Sequence, residues 1–206
     1  MPLIGSLGLI LGAYIVGGIP WGVVLGRVFK GVDVRQHGSG ATGATNALRI
    51  LGWKLSVAVF VLDFLKGLLP VALARSLDSP GWVIGAVAVV SVAGHCWSPF
   101  IGFRGGKGMA TGGGAAVALM PWLFFMLVPM IIVVAITRYV SLASLSAAAS
   151  GSALVIALAL SGSFPSWWAV GVVTVATIIV IQHRGNIARL LNGTERKFGN
   201  REHAGA

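Results

Sequence analysis

The sequence predicts an all-α integral membrane protein: seven transmembrane helices, some of them short, with the N-terminus outside and the C-terminus in the cytoplasm. Three observations predict it. Of the 206 residues, 56% are hydrophobic and only 10% charged, where a soluble domain carries about a quarter. Apolar runs near the roughly 20 residues that cross a bilayer recur along the chain. The cations, 15 Lys+Arg against 5 Asp+Glu, gather between those runs, as cytoplasmic loops do. Residues 1–206 read as one polytopic domain without a fixed-period repeat.

The first span runs from Leu3 to about Val28, interrupted by Gly17, Gly18 and Pro20. Such breakers are tolerated where neighbouring helices satisfy the freed backbone groups. No charged n-region precedes it and no small-residue cleavage site follows, so it reads as a retained helix and not a signal peptide. A polar stretch from Phe29 to Lys54 follows, then a second span from about Leu55 to Ala74, a turn from Arg75 to Gly81, and a third span from Trp82 to about Trp97. Ser98 to Thr111 is polar and glycine-rich, and Gly112 to Ile136 is apolar with Pro121 and Pro129 inside it. Arg138 interrupts the chain before two last spans, about Val140–Leu160 and Trp167–Ile181, and a basic tail that includes Arg196, Lys197 and Arg201.

Crossings are counted by charge. If Gly112–Ile136 crossed once, Arg138 and the basic tail would both lie outside, against the positive-inside rule. Two shorter helices hinged near Pro121 return both to the cytoplasm, and leave Arg75 as the one loop cation outside. A five-span arrangement is the alternative.

The polar residues form three segments on the cytoplasmic side of this topology. The first runs from Gly38 to Arg49; its glycines free backbone amides to form a concave anion site, Ser39, Thr42, Thr45 and Asn46 add neutral donors, and Arg49 adds a planar fork suited to phosphate. It lacks the endings of a Walker A loop or a dinucleotide fingerprint, and a flexible linker is the competing reading. In the second, Gly94 to Thr111, the run Arg104-Gly-Gly-Lys107-Gly leads into a helix, so amides, a helix N-terminus and two cations converge as at anion sites. The third runs from His183 to Lys197, where His183 and Asn186 share a helix face. Within the second span, Asp63 and Lys66 lie three residues apart and read as a structural pair. The single cysteine, Cys96, excludes an internal disulfide and a thiolate metal cluster; it reads as a small buried residue. Nucleic acid is not an expected partner, because no basic soluble domain exists to hold it.

Taken in order, the motifs Gly17–Gly22, Gly38–Arg49, Leu62–Gly67, Gly94–Thr111, Arg138–Ser144 and His183–Lys197 make the chain similar to the bacterial acyl-phosphate:glycerol-3-phosphate acyltransferases, the PlsY family. The resemblance spans nearly the whole chain. It implies a seven-helix enzyme of the bacterial inner membrane, with its active site facing the cytoplasm and no metal or other cofactor. The implied reaction moves a fatty acyl group from acyl phosphate to the sn-1 hydroxyl of glycerol 3-phosphate, giving lysophosphatidic acid and phosphate. Membrane lipid and an acyl-phosphate-producing enzyme are the partners that fit this chemistry. By resemblance, Ser39, Arg49, Lys107, His183 and Asn186 are the catalytic residues. Gly38, Gly40, Thr42, Thr45 and Asn46 in the first segment, and Arg104, Gly105, Gly106, Gly108 and Thr111 in the second, bind substrate. The chain departs from the family at Ala41, usually Asn, and Gly18, commonly Ser. The His–Asp pairing of the other large glycerophosphate acyltransferase family, with Asp shortly after His, is absent: Cys-Trp-Ser-Pro-Phe follows His95 and Arg-Gly-Asn-Ile-Ala follows His183.

Two other classes fit the composition. An anion transporter would also join apolar helices to a basic mouth, but would need polar groups reaching the far side, where only Arg75 and Asp78 stand. A noncatalytic scaffold with a basic surface for anionic lipid leaves the glycine-rich loops unexplained.

Overall fold

A computed structural model describes residues 2–199; Arg201 of the predicted basic tail lies outside the described residues. Their regular structure is all helical, with no strand among them. Helices α1 (Leu3–Gly18) and α2 (Trp21–Lys30) share the first apolar stretch, 28 residues long. They break at Ile19–Pro20, because proline lacks a donor and pushes the preceding residue out of the helical region. The carbonyls released there find new donors: Ser98 Oγ donates to Gly18 O at 2.6 Å and Lys66 Nζ to Ile19 O at 2.7 Å.

Inside the polar stretch, where the sequence predicts no helix, lies α3 (Ala44–Leu51). It buries Ala47 and Leu51 against Val23, Val34 and Val59. Then come α4 (Trp53–Ser76), α5 (Gly81–Cys96), α6 (Met109–Leu119), α7 (Leu127–Thr137), α8 (Val140–Leu160), α9 (Ser166–Gln182) and α10 (Arg184–Leu191). Among the described residues four apolar stretches are long enough to cross a membrane, and five if α9 and α10, bent by 59°, count as one; α6 and α7 are shorter apolar helices. The protein is a multi-pass membrane protein. Large apolar side chains such as Ile4, Trp122, Ile131, Ile136 and Leu160 stand on its outer surface, where lipid is the matching solvent.

The hinge expected near Pro121 is present. Met120 is extended at φ −144°, ψ 102°, and a 3-10 turn over Pro121–Met126 separates α6 from α7. The chain reverses there. The end of α6 meets Arg75, whose Nη1 donates to the carbonyls of Ala118 and Leu119. The end of α7 meets the tail, where Arg138 donates to Phe198 O at 2.9 and 3.1 Å.

Helix pairs approach at backbone contact through small residues. A Cβ on Gly17 or Gly94 would enter α5 or α1, one on Gly67 or Gly114 would enter α6 or α4, and one on Gly85 would reach α9. Close approach of this kind substitutes for the hydrophobic drive that lipid removes. Of the four long stretches α5 is the most buried, and it carries His95 and Cys96 to the polar end of the bundle.

Candidate active site

The first loop is held from within. Asp33 accepts from Arg35 N at 3.0 Å and pairs with Arg27 at 2.9 Å and Arg35 at 2.6 Å. The Arg35 hydrogen bonds, with Arg27 adding to them, hold the Asp33 carboxyl well below the usual carboxylate range against the opposing effect of burial. Gly38 and Gly40 are left-handed, φ +61° and +70°, a conformation costly for other residues. A Cβ on Gly38 would strike Asn46 Oδ1. That oxygen accepts from Ser39 N at 3.0 Å, while Asn46 Nδ2 donates to the carbonyls of Val34, His37 and Ala41 at 2.9–3.2 Å. Asn46 therefore shapes the loop. Ser39, Thr45 and Arg49 stay exposed, and Thr42 is buried beside Gly106.

The second loop folds back onto the end of α5. Gly105 N donates to Cys96 O at 3.0 Å and Gly106 N to His95 O at 3.1 Å. Gly108, at φ +79°, opens α6, and a side chain there would meet Val92 and Cys96. Cys96 itself is buried, beside Val92 and Ile179. Lys107 projects between these fixed glycines, while Arg104 is exposed. Thr111 is wholly buried; its carbonyl faces Gly67 and its hydroxyl has no partner, so it sits in the α4–α6 packing.

The third segment turns at His183. Lys107 Nζ donates to Asn186 Oδ1 at 2.6 Å, and Asn186 Nδ2 donates to Glu195 Oε1 at 2.6 Å. Glu195 also accepts from Ser141 Oγ and Arg189 Nε, both at 2.8 Å. Burial would raise the Glu195 carboxyl, but these three donors hold it below its ordinary value. Burial lowers the Lys107 amine to about 8; Glu195 works against this, and the charges of Arg189 and Arg49 reinforce it. With Thr42 Oγ1 beside Gly106 and Lys107 bonded to Asn186, all three predicted segments meet. His183 is also lowered, first by burial and then by Lys107, against its bond to Ile179 and the Glu195 charge. Its Nδ1 lies 2.8 Å from Ile179 O. A carbonyl only accepts, so Nδ1 carries the proton and the Nε2 lone pair is free.

The sequence alone does not mark Glu195 or Ser141 as site residues. Glu195 is the one acid in the third segment, which was the available signal; Ser141 lies in the Arg138–Ser144 motif, whose partner 54 residues away no spacing reveals.

Two cavities flank the cluster. One is an apolar groove lined by Phe60, Phe64, Met109, Ala148, Val175 and Ile179. Met109 lies two residues beyond Lys107, and Ile179 is the residue that holds His183. The other is a polar cavity of about 470 Å³ bordered by Arg35, Gly40, Arg104, Gly105, Gln182 and Arg184. Fixed cations and amides beside an apolar groove suit an anionic amphiphile.

The glycerol-3-phosphate acyltransferase family profile matches residues 7–193. A protein of Rubrobacter xylanophilus with that name is 41% identical over 198 residues, covering 96% of this chain and 97% of its own. One from Thermus thermophilus is 42% identical over 193 residues, covering 93% and 94%. Crystal structures of PlsY (YgiH), an integral membrane glycerol 3-phosphate acyltransferase, share 40% identity and cover 95% of this chain and 96% of theirs. The glycerol 3-phosphate form superposes with a TM-score of 0.87, and the lysophosphatidic acid form with 0.85. The convergence of three separated segments on Lys107 and the match along nearly the whole length lead to one conclusion: this chain belongs to the glycerol-3-phosphate acyltransferase family.

Proposed function

We propose that the protein transfers a fatty acyl group from acyl phosphate to the sn-1 hydroxyl of glycerol 3-phosphate, at the cytoplasmic face of the bacterial inner membrane, through a seven-crossing bundle with its N-terminus outside. The observation that carries this reading is the apolar groove lined by Met109 and Ile179, which lie close in the chain to Lys107 and His183 of the polar cluster. An acyl chain fits the groove, and its phosphate end then lies among Lys107, Arg49 and the glycine amides. The relatives' name and the glycerol 3-phosphate and lysophosphatidic acid forms of PlsY support the acceptor and the product class.

In this reaction the glycerol oxygen attacks the acyl carbonyl, the carbonyl–oxygen bond to phosphate breaks, and phosphate departs with the electron pair. Lys107 and Arg49 stabilise the charge on the two phosphates, and Ser39 and the neighbouring loop amides orient one of them. Asn186 sets Lys107. The hydroxyl proton passes to the departing phosphate, with neutral His183 Nε2 as an orienting acceptor. A His183 that acted instead as obligatory base would lose most of its rate as His183→Asn and regain part of it with added imidazole; a full-rate variant ends a role as base.

The direct test is purified protein given acyl phosphate and labelled glycerol 3-phosphate, followed by phosphate release and lipid product. Stoichiometric lysophosphatidic acid and phosphate are expected, and acyl-CoA should be a poor donor. Efficient use of acyl-CoA, or liposome uptake of glycerol 3-phosphate without lipid product, would overturn the proposal.

A further inference from the structure

Beneath the two glycine-rich loops lies an ionisable cluster that the reaction does not use. Asp63 and Lys66 on α4 and His95 at the end of α5 are each no more than 4% exposed. Lys66 Nζ lies 2.7 Å from Asp63 Oδ1, and His95 Nδ1 lies 3.7 Å from the same oxygen. Neither Asp63 Oδ1 nor His95 Nδ1 completes an aligned hydrogen bond; Lys66 and Asp63 form an ion pair by distance, and the His95 ring is a polar neighbour of the same oxygen. Charges at this depth are costly. A simple i,i+3 pair would close on itself along α4. This one reaches outward on both sides.

On one side Lys66 donates to Ile19 O in the α1–α2 break. Gly22, just past that break, packs so closely on the Thr42 carbonyl that a Cβ would collide with it. The break therefore supports the first loop. On the other side, His95 supports the second loop twice. Its carbonyl accepts from Gly106 N at 3.1 Å, and its ring Nε2 and Cε1 occupy the space a Gly106 side chain would need, with Thr42 Oγ1 beside them. Lys107 is the next residue.

We propose that Asp63, Lys66 and His95 form a positioning hub that sets where Gly106 and Lys107 stand relative to Thr42 and the first loop. The inference rests on the acyl-transfer reading for its kinetic test only. The hub touches no substrate. It fixes the separation of the two phosphate-holding loops from inside the bundle, which explains why its side chains point at a helix break and at a glycine.

The test has three arms. Asp63→Asn combined with Lys66→Met removes both charges together, so no orphan ion remains. In folded, inserted protein kcat should fall about tenfold to a hundredfold, the cost of a small misplacement of reacting groups, while KM for glycerol 3-phosphate moves less than about threefold. Unchanged kcat, or a loss explained wholly by a smaller folded fraction, overturns the hub. The second arm is a cycle between Gly106→Ala and His95→Ala. Each alone lowers kcat, but with the imidazole gone the added methyl meets only the Thr42 hydroxyl, a single rotatable group, so the double variant should come close to His95→Ala; losses that multiply overturn the hub, and this arm decides the matter where the α4 double variant does not fold. The third arm needs no turnover: the pH midpoint of Lys107 amine labelling should shift in the α4 double variant, and an unshifted midpoint counts against the hub. Wild-type protein inactive with acyl phosphate would refute the function and leave the labelling arm to judge the hub.

Discussion

Arg75 at the C-terminal end of α6 and Lys107 just before its N-terminal end are cations set against the same helix, and their surroundings differ in sign. At the C-terminus Arg75 donates to the free carbonyls of Ala118 and Leu119 and lies 4.9 Å over the Trp168 ring. The helix dipole favours a cation there, and the guanidinium takes its partners from the end of the helix and the ring. Lys107 stands at the opposite pole, where the dipole and the free amides repel it. Burial and the neighbouring charges of Arg189 and Arg49 lower its amine to about 8, with Glu195 as partial relief. A cation kept in such a place is stabilised by an arriving anion. The arginine closes a helix end, and the lysine, under the proposed function, is the one an anionic substrate would relieve.

The largest expected effect tests that contrast directly. Lys107→Ala should lower kcat/KM by about 10²–10³-fold, the usual loss for one preorganised charge donor, in protein that still inserts and folds. Retained activity would place Lys107 with Arg75 among the structural cations. The lysine's pH response comes next. Lys107 is charged below its lowered value and neutral above it, so kcat/KM for glycerol 3-phosphate should hold below pH about 8 and fall toward about tenfold per pH unit beyond it. Lys107→Arg, which stays charged, should remove that descent whatever its own rate; a descent that survives in it belongs to another group.

A smaller effect is expected at Glu195, which links Asn186, Ser141 and Arg189 and raises the Lys107 amine. Glu195→Gln removes the charge and keeps the shape. The alkaline descent should then begin at lower pH, because one influence that favours protonated Lys107 is gone, and the rate at neutral pH should fall several-fold, about 1 kcal/mol of lost stabilisation. A descent moving to higher pH would reverse the assigned sign.

The legible parts of this protein are those that depend on neighbours in sequence. Length and apolarity locate α4, α5, α8 and α9 to within a few residues, and Pro121 places the α6–α7 hinge because proline acts on its own backbone. The three polar segments are visible as glycines beside cations. What a linear reading misses is partnership at a distance. Asn46 has the composition of a substrate donor, yet its carboxamide is engaged by Ser39, Val34, His37 and Ala41. Asp63 and Lys66 reveal their own pairing by spacing, but not His95 or the Ile19 carbonyl. Helix α3 is hidden because its eight residues lie within a glycine-rich, polar context that reads as loop. Thr111 shares a motif with Lys107 and still faces the helix packing.

The smallest effect on turnover is expected at the satisfied end of α6. Trp168→Leu removes the ring beneath Arg75, an interaction worth about 0.5–2 kcal/mol depending on its desolvation, and also the edge contact between Trp168 and Phe164, whose centroids lie 5.9 Å apart. The carbonyl bonds from Arg75 to α6 remain, so the hinge keeps its position and the loops at the other pole are undisturbed. Thermal stability in detergent should drop by a few degrees, while kcat and KM per folded molecule should stay within about twofold of wild type, as for changes remote from the reacting groups. A KM for glycerol 3-phosphate that rose with the loss of Trp168 would show that the two ends of α6 are coupled, and that the arginine at one pole helps to place the lysine at the other.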